Sequence, residues 1–235
     1  MEVMKNKIKH KQQTYLIKSQ EIKEVFSKKE AIAAVEKVFG LYEQGKVQLP
    51  PKNYVFFEKG DLRCMPAYLP YLKAAGVKNV TVHPHNKNLP SVMATITLID
   101  PETGSTLAIM DGTHITDLRT GAVGGIAVKY LARPDAKIVA LIGGGRQAIT
   151  QLQAIMITRP NIKKVYVYDL NMESAEKFAQ KYSKDYGVEI TVAQSIKEAT
   201  AQADIIVTTT PSRTPIVKEA YVKEGTHINA IGADA

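Results

Sequence analysis

The stretch Ala136-Lys-Ile-Val-Ala-Leu-Ile-Gly143-Gly-Gly145-Arg-Gln-Ala148 joins a short apolar run to a glycine-rich turn. The run at 137–142 is rich in β-branched residues and has the length of one buried strand. Gly143, Gly145 and Ala148 fit the pattern G-x-G-x-x-G/A, and the residues at 147–157 predict a helix. Gly143 permits a tight turn, Gly145 lets a pyrophosphate approach the backbone, and Ala148 allows close helix–strand packing.

A second strand is predicted at 165–168, and it ends at an acid, Asp169, which lies 21 residues after Ala148 (169 − 148). Strand, glycines, helix, second strand and acid therefore occur in the order of a dinucleotide-binding βαβ unit. A helix N-terminus attracts phosphates. The Asp169 carboxylate accepts hydrogen bonds from a ribose 2′-OH and repels a 2′-phosphate, so NAD is expected in preference to NADP. A strand–turn–helix without a ligand is the alternative, and the complete order disfavours it.

Composition narrows the class of protein. The chain has 235 residues, 45% of them apolar, and contains one cysteine, so an intrachain disulfide and a cysteine-based metal cluster are excluded. No apolar run approaches the roughly 20 residues that span a bilayer, and a cytoplasmic location is expected. The net charge is +8, with four lysines in a basic tail at 1–13. Because no nucleic-acid-binding motif accompanies that charge, a solvated surface is favoured.

The first half of the chain predicts a mostly antiparallel or mixed sheet with one early helix. Ser27-Lys-Lys-Glu30 is a capping box, and helical spacing follows it. The segments 91–99 and 105–110 predict a hairpin around the Asp100–Gly104 turn. Further strands are predicted at 15–17, 54–57, 61–65 and 77–83.

A helix over 116–132 contains glycines at 121, 124 and 125, which predict close packing against another element or an N-terminus open to an anion near Arg119 and Thr120. Arg133-Pro134 ends this helix. The predicted domains are therefore a substrate-binding and dimerisation domain at 14–132 and a dinucleotide-binding domain at 133–235.

The second half alternates strands and helices, which predicts a doubly wound α/β domain with a largely parallel sheet. Asn171 is expected to cap a helix that Gly187 ends, and Ser195-Ile-Lys-Glu198 is a second capping box. Strands are predicted at 189–192, 204–208 and 225–231. Ligands of such sheets bind at the carboxyl ends of the strands.

Further sequence motifs occur in both halves of the chain, outside the glycine-rich turn. They are Arg63-Cys-Met-Pro-Ala, Ala75-Gly-Val-Lys78 with His83-Pro84, Asp111-Gly-Thr-His-Ile-Thr-Asp-Leu-Arg-Thr-Gly-Ala122, Thr208-Thr-Thr-Pro-Ser-Arg213 and Gly225-Thr-His-Ile-Asn-Ala-Ile-Gly-Ala-Asp234. In this order they strongly resemble the ornithine cyclodeaminase/mu-crystallin family, and within it the archaeal-type alanine dehydrogenases. The resemblance runs from about Leu16 to the C-terminus.

The resemblance implies a homodimeric enzyme in which a substrate domain and a Rossmann domain flank the active site. It implies hydride transfer between NAD and the α-carbon of an amino acid, as in the oxidative deamination of L-alanine to pyruvate and ammonia. Ornithine cyclodeaminase, which forms proline and recycles NAD, is the first alternative. A ketimine reductase or a non-catalytic mu-crystallin-like binding protein is the other.

The resemblance also implies roles for individual residues. Arg63 would bind the substrate carboxylate, Lys78 would bind it or transfer a proton, and Asp234 would be the catalytic acid. Arg119 would contact the carboxylate or a cofactor phosphate. A hydroxyl at Ser91, where some members have Thr, would make a polar substrate contact. The remaining cofactor contacts would come from Thr120, Gly143, Gly145, Arg146, Gln147, Ala148, Asp169, Thr208, Thr209 and Ile231.

No metal is expected, because His83, His85 and His114 lack ligand spacing and suit structural roles. The family continues beyond the Gly-Ala-Asp234 motif with more strands and a helical return to the first domain. The chain is therefore expected to be a C-terminally truncated form with an unprotected sheet edge, unstable or inactive alone.

Overall fold

A computed structural model describes residues 13–232 of the chain. Their contacts form two compact units. The first unit holds Val38–Thr116 and the described residues before Phe26. The second holds Phe26–Lys37 and the described residues from Asp117 onward. This division falls after Thr116, and the functional domain boundary at 132/133 stays a prediction.

The first unit contains a six-stranded sheet in the order β1-β6-β5-β4-β3-β2. Its neighbouring strands are antiparallel except β1, which pairs with β6 in parallel. The mixed sheet and the β5–β6 hairpin predicted from the sequence are thereby confirmed. The strands are β1 (Tyr15–Ile17), β2 (Asn53–Phe57), β3 (Gly60–Leu69), β4 (Ala74–Val82), β5 (Val92–Ile99) and β6 (Thr106–Asp111).

The two faces of this sheet differ. Its fully buried strand residues, Val80, Ala94 and Ala108, all lie on one face, which we call the covered face. The opposite, open face carries Val55 and Phe57, whose exposed fractions are 50% and 46%. At the edge strand β2 the covered face is accessible as well, since Phe56 on that face is 79% exposed. Because side chains alternate along a strand, the register assigns every residue of the sheet to one of these faces.

Three α-helices accompany the first sheet in sequence: α1 (Ser19–Val25), α2 (Lys28–Glu43) and α3 (Thr113–Leu131). The predicted capping box is confirmed, since the Ser27 amide donates to Glu30 Oε2 at 2.8 Å and the Glu30 amide donates to Ser27 Oγ at 3.3 Å. α3 begins three residues earlier than predicted. The Thr113 amide donates to Asp111 Oδ1 at 2.9 Å, so the acid that ends β6 satisfies a donor in the first turn.

The second unit contains a five-stranded parallel sheet in the order β11-β10-β7-β8-β9. Numbered by appearance and read from the β9 edge, this order is 3-2-1-4-5, the first five strands of the doubly wound dinucleotide-binding fold. The predicted fold class is thus confirmed. The strands are β7 (Ile138–Ile142), β8 (Lys164–Tyr168), β9 (Glu189–Val192), β10 (Ile205–Thr208) and β11 (His227–Ala230).

Helices cover both faces of the parallel sheet. They are α4 (Arg146–Thr158), α5 (Met172–Tyr186) and α6 (Ile196–Thr200), and 3-10 turns occur at Pro70–Leu72 and Glu219–Tyr221. Leu141 packs in one buried cluster with Leu152 of α4 and Phe178 of α5, and Ile142 packs in another with Ala199 of α6. Consecutive strand residues therefore enter opposite core layers, as a strand covered on both faces requires.

The glycines of α3 allow close packing against another helix, which was one of the two roles predicted for them. A Cβ atom built on Gly121 would lie 2.5 Å from the backbone oxygen of Thr150, and one on Gly124 would lie 1.7 Å from Gln151 Oε1. Both contacts are on α4. Only glycine lets the two helices approach this closely, so α3 packs along α4.

Candidate functional site

The turn after β7 has the geometry that its glycines predict. Gly143 has φ +97°, which favours glycine, and its amide donates to the oxygen of Tyr168 at 2.8 Å. Gly145 precedes α4 and provides no side-chain cap for the helix N-terminus. A Cβ on Gly145 would meet no atom within 4 Å, so the backbone here faces open space. A phosphate has room to reach the first amides of α4.

Asp169 lies beside this turn at the end of β8. Its Oδ2 accepts the Gly144 amide at 2.7 Å, and its Oδ1 accepts the Asn171 amide at 2.9 Å. A carboxylate has about four acceptor positions, so both oxygens retain capacity for a diol. The acid therefore fixes the glycine-rich turn and presents a negative charge next to it.

A cavity of about 340 Å³ opens at this end of the parallel sheet. Gly143, Gly145, Asp169 and Thr209 line it, together with the apolar side chain of Leu170. Thr209 Oγ1 donates to the backbone oxygen of Gly143 at 3.0 Å, which places the loop after β10 against the turn. The volume, the apolar wall and the acid suit a small organic ligand.

A second cavity, of about 650 Å³, lies on the other side of the loop after β10. Thr208 and Ile228 line it, and Thr210, Ser212 and Ile216 border both cavities. The predicted contacts Thr208 and Thr209 therefore face different cavities. The Ile231 amide donates to the oxygen of Thr208 at 3.0 Å and keeps the chain after β11 alongside this loop.

Residues of α3 and α4 meet at the N-terminus of α4. Arg146 forms an ion pair with Asp117, with 2.5 Å between Nη2 and Oδ2, and Gln147 Nε2 donates to Asp117 Oδ1 at 3.3 Å. Gln151 Nε2 donates to the oxygen of Thr120 at 2.8 Å. Sequence reasoning missed Asp117. Its only signal is its place two residues before Arg119 in the Thr-Asp-Leu-Arg motif.

Arg63 and Lys78 lie on the covered face of the first sheet. In the β3–β4 register Arg63 is opposite Val80 and Met65 is opposite Lys78, so the two cations are diagonal neighbours on adjacent strands. Arg63 Nε donates to Asp61 Oδ1 at 2.7 Å, and Nη2 donates to Oδ2 at 3.2 Å. The bidentate pair orients the guanidinium, and the two cations together favour an anionic ligand on this face.

The other predicted site residues lie in different parts of the structure. Ser91 is exposed just before β5, where its backbone oxygen accepts the His83 amide at 2.7 Å. Ala148 is fully buried, as expected for a helix–strand contact. Arg119 is half-buried in α3. Asp234 lies outside the described residues. The structure thus brings Arg63 together with Lys78 in the first unit, and Asp169 together with the glycine-rich turn in the second.

Residues 13–232 contain neither a cluster of metal-ligating side chains nor a helix suited to crossing a membrane. No group of three or more histidine, cysteine, aspartate or glutamate side chains is arranged to hold a metal ion. None of the helices in this range combines the length and apolar character that a membrane crossing requires.

Known sequences resemble the chain along nearly its whole length. It is 50% identical over 224 residues to the alanine dehydrogenase of Archaeoglobus fulgidus, covering 94% of this chain and 68% of that protein. It is 40% identical over 178 residues to a Delta(1)-pyrroline-2-carboxylate reductase of Bacillus cereus, covering 75% of this chain and 54% of that protein. The chain therefore spans between about half and two thirds of these relatives.

Solved structures of related proteins share the fold of this chain. An archaeal alanine dehydrogenase dimer with bound NAD gives a TM-score of 0.88 at 49% identity, covering 93% of this chain and 67% of that one. A Thermococcus litoralis Delta(1)-pyrroline-2-carboxylate reductase in complex with NADH and L-proline gives 0.88 at 45% identity, covering 92% and 68%. A profile of the ornithine cyclodeaminase/mu-crystallin family matches residues 12–235. The chain belongs to the ornithine cyclodeaminase/mu-crystallin family.

Proposed function

We propose that the protein is an NAD-dependent oxidoreductase of the L-alanine dehydrogenase type. The observation that carries the proposal is the glycine-rich turn, with Gly143 at φ +97° and the Asp169 carboxylate bonded to the Gly144 amide. This is an anion-binding helix N-terminus with a ribose-binding acid beside it. The similarity to the Archaeoglobus fulgidus alanine dehydrogenase and to the archaeal alanine dehydrogenase structure with bound NAD supports the same hydride-transfer chemistry.

The described residues fit NAD, because the open backbone at Gly145 leaves the space that a pyrophosphate needs. The pyrophosphate would accept hydrogen bonds from the first amides of α4, at Arg146, Gln147 and Ala148. The adenosine ribose would donate to Asp169, which would repel a 2′-phosphate and favour NAD over NADP. Thr120, Thr208, Thr209 and Ile231 complete the proposed cofactor contacts. When bound, NAD supplies the acceptor for the substrate hydride.

Substrate binding is assigned to the cationic pair on the covered face. Arg63, oriented by Asp61, would hold the α-carboxylate with two parallel hydrogen bonds. Lys78 would hold the same group or transfer a proton, and Arg119 would bind the carboxylate or a phosphate. Ser91 would add a polar contact. Asp234 would hold the ammonium group and accept a proton as the amine is oxidised.

The organisation of the whole protein is part of the proposal. It would have a substrate and dimerisation domain at 14–132, a Rossmann domain at 133–235 and a cytoplasmic location. A homodimer is supported by the dimeric archaeal alanine dehydrogenase that shares the fold. The substrate would be a small amino acid or keto acid, with no role for nucleic acid or membrane.

The test is a pair of absorbance assays on the purified full-length protein. L-alanine with NAD⁺ should generate NADH, and pyruvate with ammonia should consume it. An Arg63→Met variant should lose about 100-fold or more in kcat/KM, since its carboxylate contact is charge-assisted and bidentate. Turnover of neither pair, under conditions where another substrate reacts, would contradict the alanine assignment.

A cyclic-imine reductase is the second candidate, because the chain is also 45% identical to the Thermococcus litoralis Delta(1)-pyrroline-2-carboxylate reductase in complex with NADH and L-proline. It would reduce Delta(1)-pyrroline-2-carboxylate and consume NADH. Ornithine cyclodeaminase would instead convert ornithine to proline without net NADH. The three activities are separated by incubating the protein with each substrate and measuring NADH and proline. Cofactor binding without any turnover would favour a mu-crystallin-like binding protein.

A further inference from the structure

The cavity of about 340 Å³ beside the glycine-rich turn has an apolar wall next to Asp169. Leu170, the residue after that acid, lines the cavity and is 92% exposed. Ile196 of α6 and Ile216 also line it, and both pack against the buried cluster that contains Ile142. The wall therefore combines two side chains that the core holds in place with one that solvent surrounds.

We propose that this wall binds the base of the dinucleotide by apolar contact alone, so that the protein accepts hypoxanthine as readily as adenine, and that Leu170 sets the affinity for the base. The inference rests on the proposed function, in which Asp169 binds the adenosine ribose. The base is bonded directly to that ribose and therefore lies near Asp169, whose next residue in the chain is Leu170. A planar base laid against Leu170 removes apolar surface of both partners from water.

The hydroxyl groups of the loop after β10 are already engaged within the protein. Thr209 Oγ1 donates to the backbone oxygen of Gly143 at 3.0 Å, and Ser212 Oγ donates to the backbone oxygen of Thr214 at 2.8 Å. A hydroxyl carries a single proton, so neither side chain can donate to a base as well. These bonds leave the two hydroxyls holding the loop rather than recognising a ligand.

Adenine and hypoxanthine differ in the hydrogen-bonding pattern of one edge. Adenine has an acceptor at N1 beside a donating amino group, whereas hypoxanthine has a donor at N1 beside an accepting oxygen. A site that bonds to this edge strongly rejects the reversed pattern, while an apolar site hardly separates the two bases. Because Leu170 is 92% exposed, the edge of a base beside it stays in contact with water, which both donates and accepts.

The test compares NADH with its hypoxanthine analogue, reduced nicotinamide hypoxanthine dinucleotide, on the purified full-length protein. Nicotinamide fluorescence gives a dissociation constant for each, and the two constants should agree within about fivefold. Leu170→Ala should weaken the binding of both dinucleotides by about fivefold or more and to the same extent, because it removes apolar contact area. Leu131→Ala is the matched control, since Leu131 is 72% exposed and does not line the cavity.

Two further variants test for recognition of the base by a hydroxyl. Tyr168 and Thr210 also line the cavity, and Tyr168→Phe and Thr210→Val remove their hydroxyls with little change of shape. Each variant should leave the ratio of the two dissociation constants within about twofold of its original value, because the base edge bonds to water. Thermal unfolding of every variant shows that it is folded.

Each contrary result has a distinct meaning. If the hypoxanthine analogue binds more than about fivefold more weakly than NADH, the protein recognises the edge of the base and the proposal is wrong. If Leu170→Ala affects NADH binding no more than Leu131→Ala does, the base does not contact Leu170 and the proposal also fails. If the unaltered protein binds neither NADH nor NADPH, the proposed function itself fails.

Discussion

Asp169 determines the charge next to the proposed adenosine ribose, so it should control cofactor choice. The Gly144 amide donates to Asp169 Oδ2 at 2.7 Å. Replacing Asp169 by Asn removes the charge but keeps a side-chain oxygen that can accept this hydrogen bond. NADH should then bind more weakly and NADPH more tightly. We expect the ratio of the two dissociation constants to change by roughly tenfold or more, equivalent to about 1.4 kcal/mol. Titration of the variant with both cofactors measures that ratio.

Glu173→Gln is the matched control for Asp169→Asn. Glu173 is an exposed acid in the first turn of α5, where it pairs with Lys177 at 2.6 Å. Removal of its charge should leave the NADH to NADPH ratio within about twofold, because exposed pairs contribute little and are screened by salt. An equal effect of both variants would mean that net charge, rather than Asp169, sets the preference.

Asp204 is the residue most clearly committed to stability. It is 7% exposed and accepts hydrogen bonds from Arg133 Nη2 and from the Lys137 and Ile138 amides, at 2.8, 2.8 and 3.0 Å, while Lys223 Nζ lies 2.8 Å away. Burial acts to raise the pKa of this carboxyl, but the Lys223 bond and the two amides outweigh it and hold the pKa below its usual range. The charged form is therefore stabilised in the folded state.

Asp204→Asn should lower the free energy of unfolding by about 2–4 kcal/mol at pH 7, measured with urea. Because the folded pKa is lowered, this contribution is present above about pH 4 and is lost as the pH falls through the folded pKa. The difference between variant and unaltered chain should therefore shrink from pH 5 to pH 3. Asp135→Asn is the control, since Asp135 is 71% exposed and 3.6 Å from Arg133. A constant difference across this range would contradict the assignment.

The contact between α3 and α4 depends on glycine at Gly121, where an added Cβ would lie 2.5 Å from the backbone oxygen of Thr150. A backbone atom cannot move without shifting the helix. Gly121→Ala should therefore reduce the free energy of unfolding by about 1–3 kcal/mol. Gly40 in α2 has no atom within 4 Å of its added Cβ, so Gly40→Ala should stabilise by about 0.5–1 kcal/mol. Thermal unfolding of both variants measures whether Gly121→Ala destabilises the protein and Gly40→Ala stabilises it.

Local patterns predicted most helices and strands, because capping, periodicity and glycine turns act over a few residues. Ser27 and Asn171 are caps where the sequence predicts them. β3 was predicted to end at Met65, before Pro66, yet it continues to Leu69. β2 begins at Asn53, opposite Cys64, so no residue of that strand pairs with Pro66 and no ladder bond is required on that side.

Long-range contacts between side chains could not be predicted from the sequence. Spacing indicates that the α3 glycines pack against something, but it does not identify Thr150 and Gln151 as their neighbours. Likewise, the pairing of Asp117 with Arg146 joins residues that are 29 positions apart (146 − 117) and carry no mutual signal. For the candidate site, the glycine-rich turn could be predicted in detail because its parts are consecutive. The diagonal placement of Arg63 and Lys78 required the strand register.

The open face of the first sheet is the surface at which we expect two copies of the protein to associate. Val55, Phe57 and Ile109 on this face are 50%, 46% and 38% exposed, while the buried residues of the sheet lie on the opposite face. A sheet with one face packed usually presents polar side chains on the other. Apolar side chains exposed together on one strand, as Val55 and Phe57 are on β2, are instead typical of an interface. The proposed homodimer would bury them.

We therefore expect the protein to sediment at micromolar concentration as a dimer, at about twice the chain mass of 25.8 kDa. Phe57→Lys should weaken dimerisation by tenfold or more, because it places a charge within the open face. Leu131→Lys is the control, since Leu131 is 72% exposed in α3 and lies outside that face. A monomeric unaltered protein, or equal weakening by both variants, would show that this face is not the interface. Retained NADH binding by monomeric Phe57→Lys would show that the glycine-rich turn functions within one chain.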